Sequence, residues 1–255
     1  MALTLRAIPC LSDNYAYLVH DPDSGETAVI DVPETAPILE ALKAEGWSLG
    51  HILITHHHND HIGGVEDLRA ATGARVAGAA ADAHRLPPLD AALSPGDSYA
   101  MGPVQAQVID VAGHADHHIA WHFVQSRLCF TGDSLMALGC GRLFEGTPEQ
   151  MWASLQRLNA LPGDTLICSG HDYTAANARF ALSIEPDNAD LQQRIKGFEA
   201  DRAAGKPMAV VPLETERATN PFLRASAPHI KESLGMAGTP DAVVFAEIRR
   251  RKDSF

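Results

Sequence analysis

No apolar run in this chain approaches the roughly 20 residues needed to cross a bilayer, and the first segment, MALTLRAIPCLSDNY, has neither a cationic start nor a long apolar core. A cytoplasmic, soluble protein is predicted. Positive charge is scarce: 20 Lys and Arg stand against 32 Asp and Glu, for a net charge of −12. That balance repels nucleic-acid phosphates and anionic membrane surfaces, so neither is predicted as a partner. Cysteine is scarce and unpatterned. Cys10, Cys129, Cys140 and Cys168 form no C-x-x-C pair, and Cys129 and Cys168 lie in apolar strand-like runs, where a buried free thiol in a reducing compartment is the expected state. Nothing here activates a cysteine nucleophile. At 255 residues the chain buries a core without disulfide or metal staples. No internal repeat or low-complexity tract is present.

Against these absences stands one concentration. THHHNDHIGG, residues 55–64, carries four histidines and an aspartate within a single short stretch. In an extended segment alternate side chains point the same way, so His56, His58 and Asp60 are predicted to converge while His57 and Asn59 point elsewhere. His61 follows at the start of a helix and is placed to serve an adjacent centre.

The first two thirds of the chain alternate strand-like and helix-like stretches. YAYLV, TAVIDV, HILIT, VQAQVIDV, IAWHFV, RLCFTG and TLICSG read as strands; 36–45, 64–72 and 148–159 read as helices, the last opened by Thr147 and Pro148. After Tyr173 the pattern turns helical, with Leu191, Ile195 and Phe198 at helical spacing. An irregular connector, VPLETERATNPFLRAS, and a final helix from Pro240 to Lys252 follow. Candidate ligands recur just after strands: His56 after HILIT, His114 after VIDVAG, Asp133 after RLCFTG, His171 after LICSG. Layered α/β folds gather their sites at one set of strand ends, so this repetition points to one centre. Imidazole and carboxylate donors without a nearby thiolate suit zinc, iron or manganese.

The HxHxDH run at 56–61, GH at 113–114, TGD at 131–133 and GH at 170–171 resemble the metallo-β-lactamase superfamily. Within it, CGRLFEGT at 140–147, GHDYT at 170–174, NPFLR at 220–224 and the terminal RRRKDSF are similar to glyoxalase II, the hydroxyacylglutathione hydrolases. The resemblance covers essentially the whole chain. It implies an α/β fold: an αββα sandwich over residues 1–173, followed by a small all-α unit over 174–255 that binds glutathione. It assigns His56, His58 and His114 to one divalent metal and Asp60, His61 and His171 to a second, with Asp133 bridging them. Zinc is the expected ion, with iron and manganese as alternatives. Asp31 and His118 are the candidates for orienting ligand rings from behind.

The implied activity is a binuclear thioesterase that hydrolyses S-D-lactoylglutathione and related 2-hydroxyacyl-glutathiones to D-lactate and glutathione, the second step of methylglyoxal detoxification. The metals would supply hydroxide at neutral pH, with Asp60 and Asp133 as catalytic carboxylates. Arg249 and Lys252, at i and i+3 of the last helix, share a face and are predicted to pinch one substrate carboxylate. A solvated basic helix end is the alternative on residues alone. Arg142 and Tyr173 are further implied contacts, and Phe144 stands where some relatives place a tyrosine. One departure is GHADHH, where the family commonly has GHTxGH: Ala115 replaces a threonine, and His117 replaces a glycine whose backbone angle histidine adopts less easily. His117 is expected to face solvent. The rivals are another hydrolase of the superfamily, a lactonase or general thioesterase, and a mononuclear iron persulfide dioxygenase, against which the basic terminal helix argues. A flavodiiron carrier would need a glutamate in place of His58 and a flavin domain, and a non-catalytic scaffold has little use for seven ligand-type residues in register. A monomer is expected.

Overall fold

The computed structural model describes residues 3–255. One sheet runs in chain order: β1 (Thr4–Cys10), β2 (Asn14–His20), β3 (Thr27–Ile30), β4 (His51–Leu53), β5 (Arg75–Ala79) and β6 (Ala91–Leu93). Its first three strands pair antiparallel and the rest parallel. The second sheet is built from β7 (Ser98–Met101), β8 (Val104–Asp110), β9 (Ile119–Phe123), β10 (Leu128–Gly132), β13 (Leu166–Ser169) and β14 (Val210–Pro212), ordered β14-β13-β10-β9-β8-β7. A short ribbon of β11 (Leu135–Met136) and β12 (Gly139–Cys140) lies between β10 and β13 in sequence.

Strand alternation explains the layering. Tyr17 and Val19 of β2, Ala28 and Ile30 of β3, Trp121 and Phe123 of β9 and Phe130 of β10 all enter the core between the sheets. Their neighbours Leu18 and Val29 face outward under α1 (Thr35–Glu45), α2 (Asn59–Ile62) and α3 (Val65–Thr72), meeting Ile38, Leu42, Val65 and Leu68. On the far side Ala120, Cys129 and Ile167 pack under α4 (Pro148–Asn159) with Met151 and Leu155. The result is an αββα sandwich. Each fully buried aliphatic or aromatic side chain contributes ~1.5–3 kcal/mol.

Thr147 and Pro148 open α4 as expected: the Thr147 hydroxyl accepts from Gln150 N at 3.3 Å while Gln150 Oε1 accepts from Thr147 N at 2.7 Å. Two buried aromatics use their polar ends to tie the sheets together. Trp121 Nε1 donates to Ile54 O at 3.1 Å and the Tyr17 hydroxyl donates to Ser169 O at 2.7 Å. Both acceptors lie one or two residues before a histidine-bearing turn, so these bonds fix the sheet edges where the candidate ligands emerge.

The remaining chain is α5 (Thr174–Ile184), α6 (Ala189–Lys196), α7 (Phe198–Ala203), α8 (Leu213–Thr219), α9 (Pro228–Ser233) and α10 (Asp241–Asp253). Phe180, Phe222, Val244, Phe245 and Ile248 join the core beneath α4, and Trp152 of α4 meets Phe245 at 5.9 Å between ring centres. The segment expected to be an irregular connector differs. Residues 210–212 form β14 against β13, and Leu213–Thr219 form α8. Glu216 is fully buried there, receiving Arg194, Leu138 N and Asn220 Nδ2. A buried charge with all these donors stabilises a helix that the polar sequence LETERAT does not advertise. Among the described residues no helix is long and apolar enough to cross a membrane.

Candidate metal centre

His56 lies beyond β4, and His58, in extended backbone, follows two residues later as the cap of α2. Alternation places these two, but not Asp60. The helix α2 begins at Asn59, so Asp60 and His61 are set side by side by a helical turn. His57 points away, its Nδ1 3.2 Å from Asp82 Oδ2. His114 follows β8, Asp133 follows β10 and His171 follows β13.

The structure brings all seven together. His58 Nδ1 lies 3.1 Å from His56 Nε2 and 3.0 Å from His114 Nε2. A second group forms where His61 Nε2 stands 3.3 Å from His171 Nε2, with Asp60 Oδ2 3.3 Å from His171 Nε2. Asp133 lies between the groups: Oδ2 is 3.4 Å from His114 Nε2 and 3.3 Å from His171 Nε2, and Oδ1 is 3.3 Å from His61 Nε2. Ring nitrogens facing one another at these distances are lone pairs aimed at a common point. Asp133 Oδ1 is buried without a well-formed hydrogen bond, the kind of orphaned acceptor that a cation would satisfy. The donor set therefore fits divalent metal ions of the zinc, iron and manganese class.

The electrostatics divide the groups. Burial pushes His56 well below the ordinary imidazole range and lowers His58 and His114, helped by neighbouring histidines. These rings are neutral donors. At His171 burial also lowers the value, but Asp133 and Asp60 outweigh it and raise it to about 10. His61 is raised in the same way by Asp133 and Asp31. The second group is thus a concentration of carboxylate charge that demands a positive partner, proton or metal, and metal binding there would release protons.

Behind the rings stand orienting partners. Asp31 Oδ2 accepts from His61 Nδ1 at 2.8 Å and from the Thr55 hydroxyl at 2.7 Å. The Thr55 oxygen lies 3.0 Å from His56 Nδ1, and His114 Nδ1 donates to Arg142 O at 2.8 Å. His118 acts on the backbone: its Nε2 accepts from Asp133 N at 3.1 Å, and its ring stacks on His56. Sequence reading missed Asp13 and Asn14, which reach the second group from the β1–β2 turn; recognising TLRAIPC as a strand would have marked SDN as a hairpin tip. In the departing stretch His117 is exposed and adopts φ 59°, the left-handed angle glycine would favour, while Ala115 is buried. A side chain there costs ~1–2 kcal/mol of backbone strain, and His114 keeps its place.

A cleft of about 510 Å³ opens over the donors, lined by His58, His114 and His171 together with Arg142, Arg249 and Lys252. Phe144, 62% exposed, leans edge-on against His58 and His114, and Tyr173 stacks flat on His171 at 4.8 Å. Burial, with nearby Asp13 and Asp133, pushes the Tyr173 phenol up to about 12, so it remains a hydrogen-bond donor. Arg249 and Lys252 both reach the cleft, but the carboxylate held here by Arg249 belongs to Asp253, at 2.8 Å from Nη2. Arg249 Nη1 donates to Cys140 O at 2.9 Å, the guanidinium lies over Phe222, and Nε is buried without a partner. Lys252 Nζ sits near the rings of Phe180 and Phe255 and 3.3 Å from Ala176 O. Arg142 is exposed, 3.6 Å from Asp253. Cys140 lines the cleft, but burial pushes its thiol up to about 11, so it supplies no thiolate.

Comparison with known proteins agrees with this architecture. Residues 12–171 match the metallo-beta-lactamase superfamily, and residues 172–255 match the hydroxyacylglutathione hydrolase C-terminus. A hydroxyacylglutathione hydrolase of Cereibacter sphaeroides is 61% identical over 255 residues, covering 100% of both chains. Among solved structures, ETHE1 from Myxococcus xanthus superposes with a TM-score of 0.65 at 25% identity, covering 98% of this chain and 97% of that one. A B3 metallo-beta-lactamase, BLEG-1, gives 0.67 at 22% identity over 86% of this chain and 99% of its own, a likeness of fold. With both halves matched and a full-length relative at this identity, the chain belongs to the hydroxyacylglutathione hydrolase family of the metallo-β-lactamase superfamily.

Proposed function

We propose that this chain is a metal-dependent thioesterase that hydrolyses S-D-lactoylglutathione and related 2-hydroxyacyl-glutathiones to the 2-hydroxy acid and glutathione. The observation that carries the reading is one cleft lined both by the convergent metal donors and by the cationic residues Arg142, Arg249 and Lys252. A lactone has no peptide carboxylates for that basic wall to grip.

In this reading His56, His58 and His114 would hold one cation and Asp60, His61 and His171 another, with Asp133 placed between the two groups. Divalent cations bound there would supply positive charge to the carbonyl oxygen and lower the pKa of a bound water toward neutrality. The chain's own groups do the rest. Hydrogen bonding from His171 holds Asp60 well below the usual carboxylate range, so it stays ionised and can accept a hydrogen bond from the attacking water. Phe144 and Tyr173 wall the acyl group, limiting bulk water beside the scissile bond. Arg142, Lys252 and, on releasing Asp253, Arg249 anchor the peptide carboxylates and hold the carbonyl over the donors. A thiol of ordinary pKa near 8.5 leaves as thiolate without a strong general acid, and none is provided.

We further propose residues 174–255 as the glutathione-holding unit of a monomer working in a reducing, cytoplasmic setting. The four free, buried cysteines support that compartment. Arg249→Ala/Lys252→Ala is expected to raise KM for the lactoyl thioester ~100-fold or more, as loss of two charge-assisted contacts of ~1.5–3 kcal/mol each implies. Turnover at saturation should change much less, and metal content should stay at the wild-type value. Steady-state kinetics on both proteins checks this. An unchanged KM would remove α10 from the substrate site and favour a hydrolase that does not bind glutathione.

A further inference from the structure

The tip of the β1–β2 hairpin reaches the second donor group and leaves the first alone. Asp13 Oδ1 accepts from His171 Nδ1 at 2.8 Å. That bond requires the proton on Nδ1 and so presents the Nε2 lone pair to the centre, where Asp60 and Asp133 stand at 3.3 Å. Tyr173, stacked on the same ring, also bonds to Asp13. Asn14 is 4% exposed, and its Nδ2 donates to Asp60 O at 2.9 Å while lying 3.3 Å from Asp60 Oδ2. The backbone is stitched down as well. Asn14 bridges to His171, Tyr15 N donates to Gly170 O at 2.8 Å, and Asp172 N donates to Asp13 O at 2.8 Å. In the first group, by contrast, His56 is backed by the Thr55 hydroxyl and His114 by a backbone carbonyl.

We infer that Asp13 and Asn14 are positioning residues for the second metal: they fix His171 and Asp60 in ligating geometry, and their loss weakens that position selectively. The inference rests on the two-metal reading. Carboxylates behind metal-binding imidazoles set the tautomer and ring direction, and removing one typically costs ~10–100-fold in metal affinity. Asn14 adds what a carboxylate cannot, a donor beside the anionic Asp60, and the same amide nitrogen lies 3.4 Å from His171 Nε2.

The test is metal content per chain after equilibrating the zinc-loaded protein with graded chelator, for wild type, Asp13→Ala, Asp13→Asn and Asn14→Ala. Thermal unfolding of each metal-free protein is followed in parallel. Asp13→Ala should lose one of two metals at a chelator concentration ~10–100-fold lower than wild type and keep the other at the wild-type concentration. Asp13→Asn, whose amide oxygen still accepts from Nδ1, should fall between, and Asn14→Ala should shift the same step. Tyr173→Phe, which removes the phenol's bond but not the imidazole's, should keep both metals. Loss of both metals together, or a lowered melting temperature with both retained as in wild type, would overturn the inference and leave the two-metal reading intact. A wild type that binds no metal would overturn both.

Discussion

Asp133→Asn is expected to reduce thioester hydrolysis by at least about a thousandfold, the equivalent of the several kcal/mol that a correctly held metal pair contributes. Asp133 is 5% exposed and its two oxygens reach ring nitrogens of both donor groups, at 3.4 Å to His114 and 3.3 Å to His61 and His171. Asparagine has the same shape, so packing is preserved. What changes is charge: the amide removes the anion between the groups and turns an N–H toward ring nitrogens meant to donate lone pairs. The second group should then lose affinity most, because Asp133 heads the influences that offset burial at both His61 and His171. Measuring kcat and metals per chain on folded variant protein checks this; a fall of less than tenfold with both metals retained would contradict the bridging role.

Gly170→Ala should inactivate the protein although it replaces no donor residue. A Cβ at this position would lie 2.6 Å from Asp133 Oδ1 and 2.6 Å from His61 Cε1. Neither neighbour has room to retreat, since both are buried, and His61 is fixed from behind by Asp31. The glycine backbone cannot retreat either. Its N–H donates to Gly132 O and its carbonyl accepts from Tyr15 N, both at 2.8 Å. A displacement near 1 Å in a catalytic group costs ~100-fold in rate, and overpacking adds ~1–3 kcal/mol of destabilisation. Gly197→Ala is the control: its nearest contact would be Arg194 O at 3.4 Å, so activity and metal content should stay at wild-type values. Near-normal metal binding in Gly170→Ala would mean that the donor groups tolerate rearrangement, against the rigid centre described here.

The gathered donors were legible because His56, His114, Asp133 and His171 each follow a strand-like run; strands such as those carrying Trp121 and Phe130 marked an α/β fold, and the sandwich itself came from the family resemblance. The strands that went unread are short or broken by composition. TLRAIPC contains a proline and a surface arginine, and RVAGA and AAL are too small-residued to signal a pleated face. Missing β1 concealed the hairpin tip and with it Asp13 and Asn14. LETERAT is polar because its helix is organised around buried Glu216 rather than around an apolar stripe. The Arg249–Asp253 pair illustrates a different blind spot. The i,i+4 spacing is visible in RRRKD, but Asp253, exposed at the end of α10, gives no sign that it takes the guanidinium expected to face a substrate carboxylate. The alternation argument placed His56 and His58 and misassigned the reason for Asp60, because one helical turn at α2 puts that carboxylate where an extended chain would also have sent it.

The most direct test of the account is reconstitution: metal-free protein titrated with zinc, with S-D-lactoylglutathione hydrolysis and bound metal determined on the same samples. The account predicts no turnover without metal, activity that rises with binding and levels off at two ions per chain, and reversal by chelator. Full activity in metal-free protein, or two bound ions with no hydrolysis of this thioester, would contradict it.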